Sequence, residues 1–310
     1  MNTWSNLLRT EISNRAADFA ANRSLPHCRS RGGVVLFRPH ADLNRHGNFV
    51  DESYEAILEN AAWRERLAKP HPQRRSLPAE ARETACELDS CNSSDALLMN
   101  VFCYPEAWRP KLAGLLGVPA ALRYRLEPSS VEFGVAGRVP LASGKADRSE
   151  LDMVVRYAGS AGSHTVIVEA KLTEKDFTTA PAHVVRSYRD LEEVFDVSQL
   201  PTPEDLAEYD PGTGVAGSGA PAFAGYQLIR NVLAAHHLAA SFCVVCDARR
   251  PDLIREWWRI HAAIRLPELR ARCGLVLWQE VALVVPKPLV DFLDAKYGLA
   301  PGGQALAEAV

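Results

Sequence analysis

Three side chains in the middle of the sequence, those of Asp152, Glu169 and Lys171, are of types that could together bind a divalent cation and activate water. Carboxylate oxygens are the hard ligands that Mg²⁺ prefers, and bound Mg²⁺ keeps several waters and accepts phosphate oxygens. Such a cation lowers the pKa of a bound water and neutralises charge on a phosphate. A lysine could hold that water or stabilise the oxyanions, or act as a base where burial lowers its pKa. The combination indicates metal-dependent hydrolysis of a phosphodiester.

A β-hairpin is the element that would bring the three residues together. β-type segments at residues 149–155 and 165–172 flank a short, glycine-containing connection, a pattern typical of two antiparallel strands. With the turn centred in that connection, Asp152 lies opposite Glu169, and Lys171 lies on the same face two residues further along. The reverse face is then wholly apolar, with Leu151, Met153 and Val155 across from Ala170, Val168 and Val166. A shift by one residue would disrupt that face, so the apolar pattern predicts the register.

Asp152, followed after the predicted hairpin by Glu169-Ala170-Lys171, resembles the PD-(D/E)XK, or restriction-endonuclease-like, nuclease superfamily. The resemblance implies that Asp152 and Glu169 hold Mg²⁺ or Mn²⁺, with the backbone carbonyl of Ala170 as a further ligand. It also implies that Lys171 orients the attacking water. Leu151 stands where the motif has proline, a departure that the superfamily often shows.

The same resemblance implies two more site residues. The superfamily commonly places an extra carboxylate upstream of the hairpin, and Glu132 matches that position as a metal ligand. It often has a glutamine or tyrosine on the helix after the lysine strand, and Gln227 matches that position as a catalytic residue. The nuclease resemblance covers residues 122–280, and segments such as His46–Phe49 resemble a bacterial branch of the superfamily.

Helices predominate in the first part of the chain and strands appear after Pro119. Apolar residues at helical spacing predict helices at Asn2–Ala21, Asp51–Ala68, Asn92–Cys103, Pro105–Leu116, Ala222–Ala240, Asp252–Ile264 and Pro288–Tyr297. Short β-type runs occur at Arg123–Val135, Leu151–Tyr157, His164–Leu172, Ser241–Asp247 and Gly274–Trp278. Consecutive strands followed by alternating helix and strand are typical of a mixed sheet. We therefore predict an α/β fold, a mixed central β-sheet flanked by helices, with a mainly helical N-terminal region at residues 1–120 and a nuclease core at residues 121–310.

The composition is that of a globular protein. Hydrophobic residues make up 47% of the 310 residues and charged residues 24%, and no apolar run is long enough for a membrane span. Charged residues interrupt the first twenty positions, which excludes the apolar centre of a secretory signal. We expect a cytoplasmic protein without a membrane partner.

Seven cysteines are scattered along the chain, an odd number without the dense spacing of a disulfide framework. Cys243 and Cys246 form a CxxC pair, but they lie in an apolar run without a second pair to complete a zinc site. We interpret them as small buried hydrophobic residues.

Charge is distributed unevenly. The whole chain carries −3, yet residues 22–78 contain ten basic and six acidic side chains. A basic sector beside an acidic one fits an enzyme that grips phosphate with one part and binds metal with another. An ordinary solvated surface would explain it equally well.

Three functional interpretations follow. We favour a nuclease acting on nucleic acid, DNA rather than RNA, whose N-terminal region positions the substrate or forms the face of a homodimer. The second is a catalytically silent nucleic-acid-binding or assembly protein with the same fold, in which Lys171 only neutralises the two acids. The third is an enzyme acting on a small substrate, with the acids as general acid and base. Dependence of activity on Mg²⁺ would separate the first from the others.

Overall fold

The structure is a computed structural model that describes residues 3–40, 45–72, 74–123, 128–159, 162–207 and 221–300. Contacts divide the chain into two compact units. One holds the described residues up to Ser5 and from Ala113 to Leu277, and the other holds those from Asn6 to Leu112 and from Trp278 onward. The division into residues 1–120 and 121–310 stays a prediction. None of the described helices is both long and apolar enough to cross a membrane.

Within the described residues, the first unit is built on a five-stranded mixed sheet. Its strands are β1 (Ser130–Ala136), β2 (Glu150–Gly159), β3 (Gly162–Ala170), β4 (Ser241–Cys246) and β5 (Cys273–Leu277). They lie side by side in the order β5-β4-β3-β2-β1. The pairs β1–β2 and β2–β3 are antiparallel, whereas β3–β4 and β4–β5 are parallel. The predicted α/β fold with a mixed central sheet is confirmed.

The pairing of β2 with β3 has the register that the apolar pattern predicts. Backbone pairs run from Met153 opposite Val168 to Gly159 opposite Gly162. The centre of the predicted turn lies outside the described residues. The register places the first residues of β2 beside the last residues of β3, which is where the predicted site lies.

Both faces of the central strands are buried. On the face predicted to be apolar, the buried side chains are Met153, Val155, Val166 and Val168. On the other face, Val154 and Ile167 belong to a core that also contains α1 (Tyr226–His237) and α2 (Pro251–Ala262). Strands covered on both faces have nearly continuous apolar sequences, so this second core face was not apparent from alternation alone.

The two cysteines of the CxxC pair lie in β4, which is buried along its whole length. Cys243 and Cys246 are both buried, and neither forms a disulfide with another described residue. Their interpretation as small buried hydrophobic residues is confirmed.

Helix α1 begins four residues later than the predicted helix Ala222–Ala240. Ala222–Ala224 instead forms a short strand that pairs with Thr179–Pro181. Gly225 follows with φ +69°, a left-handed conformation that glycine adopts without steric cost. A Cβ at this position would lie 3.0 Å from the Ile260 side chain. The glycine therefore turns the chain from strand into helix and places the first turn of α1 beside the sheet.

Shorter elements complete the first unit. They are the helices Ala120–Arg123, Ala182–Val185, Leu191–Val194, Pro203–Ala207 and Pro267–Ala271, the 3₁₀ turn Val197–Gln199, and the strand pair Val139–Pro140 with Ala146–Asp147. The helix Pro110–Leu115 spans the boundary between the two units. Of the strand predicted at Arg123–Val135, the structure shows Ser130–Ala136 as strand and Arg123 as the end of a helix, and residues 124–127 lie outside the described residues.

The second unit is mainly helical. Its helices are Trp4–Asn22 (from Asn6), Asp51–Glu59, Ala61–Leu67, Ala79–Arg82, Ser94–Phe102, Trp278–Ala282 and α3 (Lys287–Tyr297), with 3₁₀ turns at Arg74–Ser76 and Glu87–Asp89. Two strand pairs were not predicted: His27–Arg29 with Val35–Phe37, and Pro39–His40 with Arg45–His46. Strands of two or three residues are too short for an alternating pattern to reveal.

The helix predicted at Asp51–Ala68 is wrong in one respect, because the structure divides it at Asn60. The Asn60 side chain accepts hydrogen bonds from the backbone N–H groups of Ala62 and Trp63. Such a cap satisfies donors that a helix start leaves without partners, so a second helix begins there.

Candidate active site at the start of β2 and the end of β3

Asp152 lies near the start of β2 and is held against the end of β3. Its Oδ2 accepts a hydrogen bond of 2.8 Å from the backbone N–H of Ala170. Backbone pairing between the two strands begins at Met153 and Val168. Ala170 lies past this pair, and its N–H is bonded to the Asp152 carboxylate. This bond places the Asp152 side chain directly beside the segment that contains Glu169 and Lys171.

Glu169 is only 1% exposed, and both of its oxygens have donor neighbours. Oε1 lies 2.8 Å from Nζ of Lys171. Oε2 accepts a hydrogen bond of 2.6 Å from Nδ2 of Asn231, which projects from α1. Burying an ionised carboxylate is costly unless such partners are present, and here they also fix the orientation of the carboxylate plane.

Lys171 follows β3 directly and is buried. Its backbone N–H donates to the carbonyl of Val245 on β4 at 2.8 Å, which holds the lysine in line with the sheet. Burial by itself lowers the pKa of Lys171, but the charges of Glu169, Glu174 and Asp152 outweigh burial and the pKa is raised. A raised pKa favours the ammonium form of the side chain, which fits orientation of water or stabilisation of an oxyanion better than action as a base.

Glu174 is a member of this cluster that the sequence analysis did not single out. Its Oε2 accepts a hydrogen bond of 2.7 Å from the backbone N–H of Leu172, and its charge raises the pKa of Lys171. Three carboxylates, those of Asp152, Glu169 and Glu174, thus act on one ammonium group. The excess of negative charge is of the kind that a divalent cation offsets.

The donor set fits a cation that keeps part of its water. No three His, Cys, Asp or Glu side chains among the described residues are grouped closely enough to hold a metal ion by themselves. A cation between Asp152 and Glu169 would therefore need the carbonyl of Ala170 and water molecules as further ligands. Mg²⁺ is commonly held by one or two carboxylates plus water, so the residues present suit it.

A protein-family model described as "Restriction Endonuclease associating with ARP" matches residues 13–298, which is most of the chain and includes every residue of the cluster. The chain belongs to this family. Membership confirms the predicted restriction-endonuclease-like resemblance at the level of the family and indicates a nuclease. No curated protein and no solved structure matches the chain.

In this member of the restriction-endonuclease family, Glu132 lies apart from the cluster. It is paired with Val154 in the sheet, and its side chain forms an ion pair with Arg156 and accepts a hydrogen bond of 3.2 Å from Ser130. Neither partner belongs to the cluster around Lys171. The structure therefore brings together Asp152, Glu169, Ala170 and Lys171, and leaves Glu132 on a neighbouring strand.

The predicted helix residue Gln227 lies in the first turn of α1. Its backbone N–H donates to the carbonyl of Phe177 at 3.0 Å, and its Oε1 is a buried acceptor without a hydrogen-bond partner among the described residues. The residue that reaches Glu169 is Asn231, one helical turn later. The i,i+4 spacing from Gln227 was the signal that could have identified Asn231, because residues four apart share a helix face.

The loop after Lys171 is held by Arg250, which the sequence analysis also did not single out. Arg250 is fully buried and donates to the carbonyls of Leu172, Glu174 and Lys175 at 3.1, 2.7 and 3.1 Å. It also forms an ion pair of 2.6 Å with Asp252. These bonds use the fork geometry of the guanidinium and fix the loop that positions the Glu174 carboxylate.

Proposed function

We propose that the protein is a metal-dependent nuclease of the PD-(D/E)XK type that hydrolyses phosphodiester bonds of nucleic acid, DNA rather than RNA. The observation that carries the proposal is the meeting of Asp152, Glu169 and Lys171 where β2 starts and β3 ends. Family membership supports the class of reaction. The identity of the cation, Mg²⁺ or Mn²⁺, and its position belong to the proposal.

A cation held by Asp152, Glu169 and the Ala170 carbonyl would neutralise phosphate charge and make a neighbouring water more acidic. The residues of the chain would do the rest. Lys171, kept charged by the carboxylates around it, would hold the attacking water or stabilise the negative oxygens of the transition state. Asn231 would keep Glu169 in one orientation, as its 2.6 Å hydrogen bond indicates. Glu132 would take part only after leaving its ion pair with Arg156.

The test compares cleavage of labelled single- and double-stranded DNA and RNA in the presence of Mg²⁺, Mn²⁺ or EDTA. A closed circular DNA in the panel separates endonuclease from exonuclease action, because only an endonuclease can open it. Wild type is compared with Lys171→Ala and Lys171→Met. Lys287→Ala is the matched control. Lys287 lies on α3, where its exposed side chain forms an ion pair with Asp291.

We expect cation-dependent cleavage by wild type and Lys287→Ala and its loss in both Lys171 variants. Cleavage that persists in the Lys171 variants would show that the site lies elsewhere. If wild type binds nucleic acid but neither cleaves it nor binds Mg²⁺ in calorimetry, the catalytically silent binding protein is the correct function.

A further inference from the structure

A second buried arginine near the cluster differs from Arg250 in its partners. Arg230 lies on α1 and is 8% exposed. Its Nη2 is 3.4 Å from the backbone carbonyl of Glu150, two residues before Asp152. Its guanidinium lies over the ring of Tyr226, 5.5 Å from the centroid. Arg230 therefore reaches the start of β2 from the same helical turn whose Asn231 reaches Glu169.

The guanidinium of Arg230 has few partners for a buried charge. Its Nε is buried and forms no hydrogen bond with the described residues, and its bond to Glu150 is long. By contrast, Arg250 is bonded to three carbonyls and to the carboxylate of Asp252. Buried charges are normally paired, so the donor groups of Arg230 are suited to an additional acceptor.

Asp147, whose carboxylate interacts electrostatically with Arg230, does not fill that role, because its oxygens already accept other hydrogen bonds. Asp147 accepts hydrogen bonds from the N–H and Oγ of Ser149 at 3.0 and 2.6 Å and from the hydroxyl of Tyr188 at 2.5 Å. Burial raises the pKa of Asp147, but these hydrogen bonds and the nearby charge of Arg230 lower it overall. Asp147 is thus an ionised group that anchors tyrosines, and Nε of Arg230 has no hydrogen-bond partner among the described residues.

The same hydrogen bonds fix the ring under Arg230. The hydroxyl groups of Tyr188 and Tyr226 are 2.8 Å apart, and Tyr188 is anchored in turn by Asp147. A ring held in this way limits the positions that the guanidinium can adopt. The arginine is presented as a preorganised group rather than as a flexible surface cation.

We propose that Arg230 is a substrate-binding residue that holds a phosphate oxygen of the nucleic-acid backbone on the Asp152 side of the site. The planar guanidinium of an arginine can donate hydrogen bonds to two phosphate oxygens. The guanidinium of Arg230 is only partly hydrogen-bonded within the protein, so it has a donor for one phosphate oxygen. The excess of carboxylates around Lys171 would repel a phosphodiester, and Arg230 supplies attraction at its edge. This inference rests on the proposed nuclease function.

The test uses Arg230→Gln and Arg230→Lys, with Arg186→Gln as the matched control. Arg186 also lies over an aromatic ring, 5.9 Å from the centroid of Phe223, but is exposed. Binding of a labelled DNA duplex is measured in EDTA at several salt concentrations, so that affinity is read without cleavage. Cleavage with Mg²⁺ is measured separately as kcat and KM, and circular dichroism confirms that each variant is folded.

We expect Arg230→Gln to reduce the slope of log affinity against log salt concentration by about 0.9, the change for one lost phosphate contact. Cleavage should fall by about 10²-fold. Arg230→Lys should restore the salt slope but only part of the cleavage rate, because an ammonium group cannot bind two oxygens in a fork. Arg186→Gln should resemble wild type in cleavage.

Two results would overturn the inference while leaving the nuclease intact. One is unchanged binding and cleavage in Arg230→Gln. The other is slower cleavage with the wild-type salt slope, which would indicate a structural role. If wild type neither binds nor cuts nucleic acid, the proposed function fails, and protection against thermal unfolding by inorganic phosphate decides on Arg230 separately. The phosphate site would then be rejected if inorganic phosphate protected wild type and Arg230→Gln equally against thermal unfolding, or protected neither.

Discussion

Among the described residues two lysines are buried, one in each unit, and their surroundings differ in charge. Lys171 in the first unit is ion-paired with Glu169 and influenced by two further carboxylates. Lys296 on α3 in the second unit is fully buried among rings, with Nζ 5.1, 5.2 and 4.6 Å from the centroids of Phe37, Phe292 and Tyr297. Carboxylates raise the pKa of Lys171 despite burial, whereas burial lowers the pKa of Lys296 well below its usual value.

Both lysines are buried, so burial alone does not mark the lysine that we propose to be catalytic. Lys296 donates to the carbonyl of Asn48 at 2.8 Å and to the side-chain oxygen of Asn48, and the hydroxyl of Tyr297 lies 3.0 Å from its Nζ. Asn48 also donates to the carbonyls of Leu88 and Ser90. These bonds tie α3 to the segment His46–Phe49, so the motif His46-Gly-Asn-Phe49 has a structural explanation. Negative charge around Lys171 is what distinguishes the site at which we propose that a cation binds.

The largest effect is expected from removing one of the carboxylates around Lys171. Asp152→Asn keeps an oxygen that can accept the hydrogen bond from Ala170 but removes one negative charge and one proposed metal ligand. We expect cleavage to fall by about 10³-fold, because a bound cation contributes several kcal/mol to the transition state. Full cleavage by a folded Asp152→Asn variant would show that the carboxylates around Lys171 do not make its site catalytic, and the two lysine sites would no longer differ in function.

A smaller effect is expected from replacing the asparagine beside each lysine site, which is Asn231 for the Lys171 site and Asn48 for the Lys296 site. Asn231→Ala removes the donor to Glu169 and should weaken Mg²⁺ binding by about 10- to 100-fold. Asn48→Ala should lower the free energy of unfolding by about 1–3 kcal/mol, because buried acceptors and donors lose their partners, but leave Mg²⁺ affinity unchanged. Calorimetric titration and urea unfolding of both variants separate the two roles, and a loss of Mg²⁺ affinity in Asn48→Ala would contradict them.

The pH dependence of stability tests the ionisation of Lys296. The unfolded side chain has a pKa near 10.5 and the folded one a lower pKa, so between these values the unfolded state binds more protons. The free energy of unfolding therefore rises with pH across this window, by at most about 1.4 kcal/mol per pH unit. Lys296→Met should lack this rise in urea unfolding between neutral and alkaline pH. An identical pH profile in both proteins would mean that Lys296 is charged when folded.

Glu256 on α2 provides the test with the smallest expected effect, because it is a buried acid that forms no ion pair with the described residues. Burial, followed by the charge of Asp176, raises its pKa from 4.5 to about 8. Between those values the folded state binds more protons, so the free energy of unfolding falls as pH rises, by at most about 1.4 kcal/mol per pH unit. Glu256→Gln should remove this fall in urea unfolding. A wild-type profile in the variant would show that Glu256 is already ionised at low pH.

The strand register was accessible from the sequence because it depends on local alternation. Apolar side chains recur at every second position of β2 and β3, and only one pairing keeps them on one face. The helix start at Tyr226 was predicted too early, since the strand Ala222–Ala224 forms only through pairing with Thr179–Pro181, which is distant in sequence. Arg250 and Asn231 were not identified as site residues for the same reason: their partners lie on other elements.

By itself, the sequence determined the hairpin register and therefore the meeting of Asp152, Glu169 and Lys171, because residue types and a period of two suffice for both. Only the tertiary structure decided which charges surround each lysine. The pKa of a side chain depends on burial and on charges brought close by elements far apart in the chain. Glu174, placed by the loop that Arg250 holds, helps raise the pKa of Lys171, whereas burial among aromatic rings lowers the pKa of Lys296.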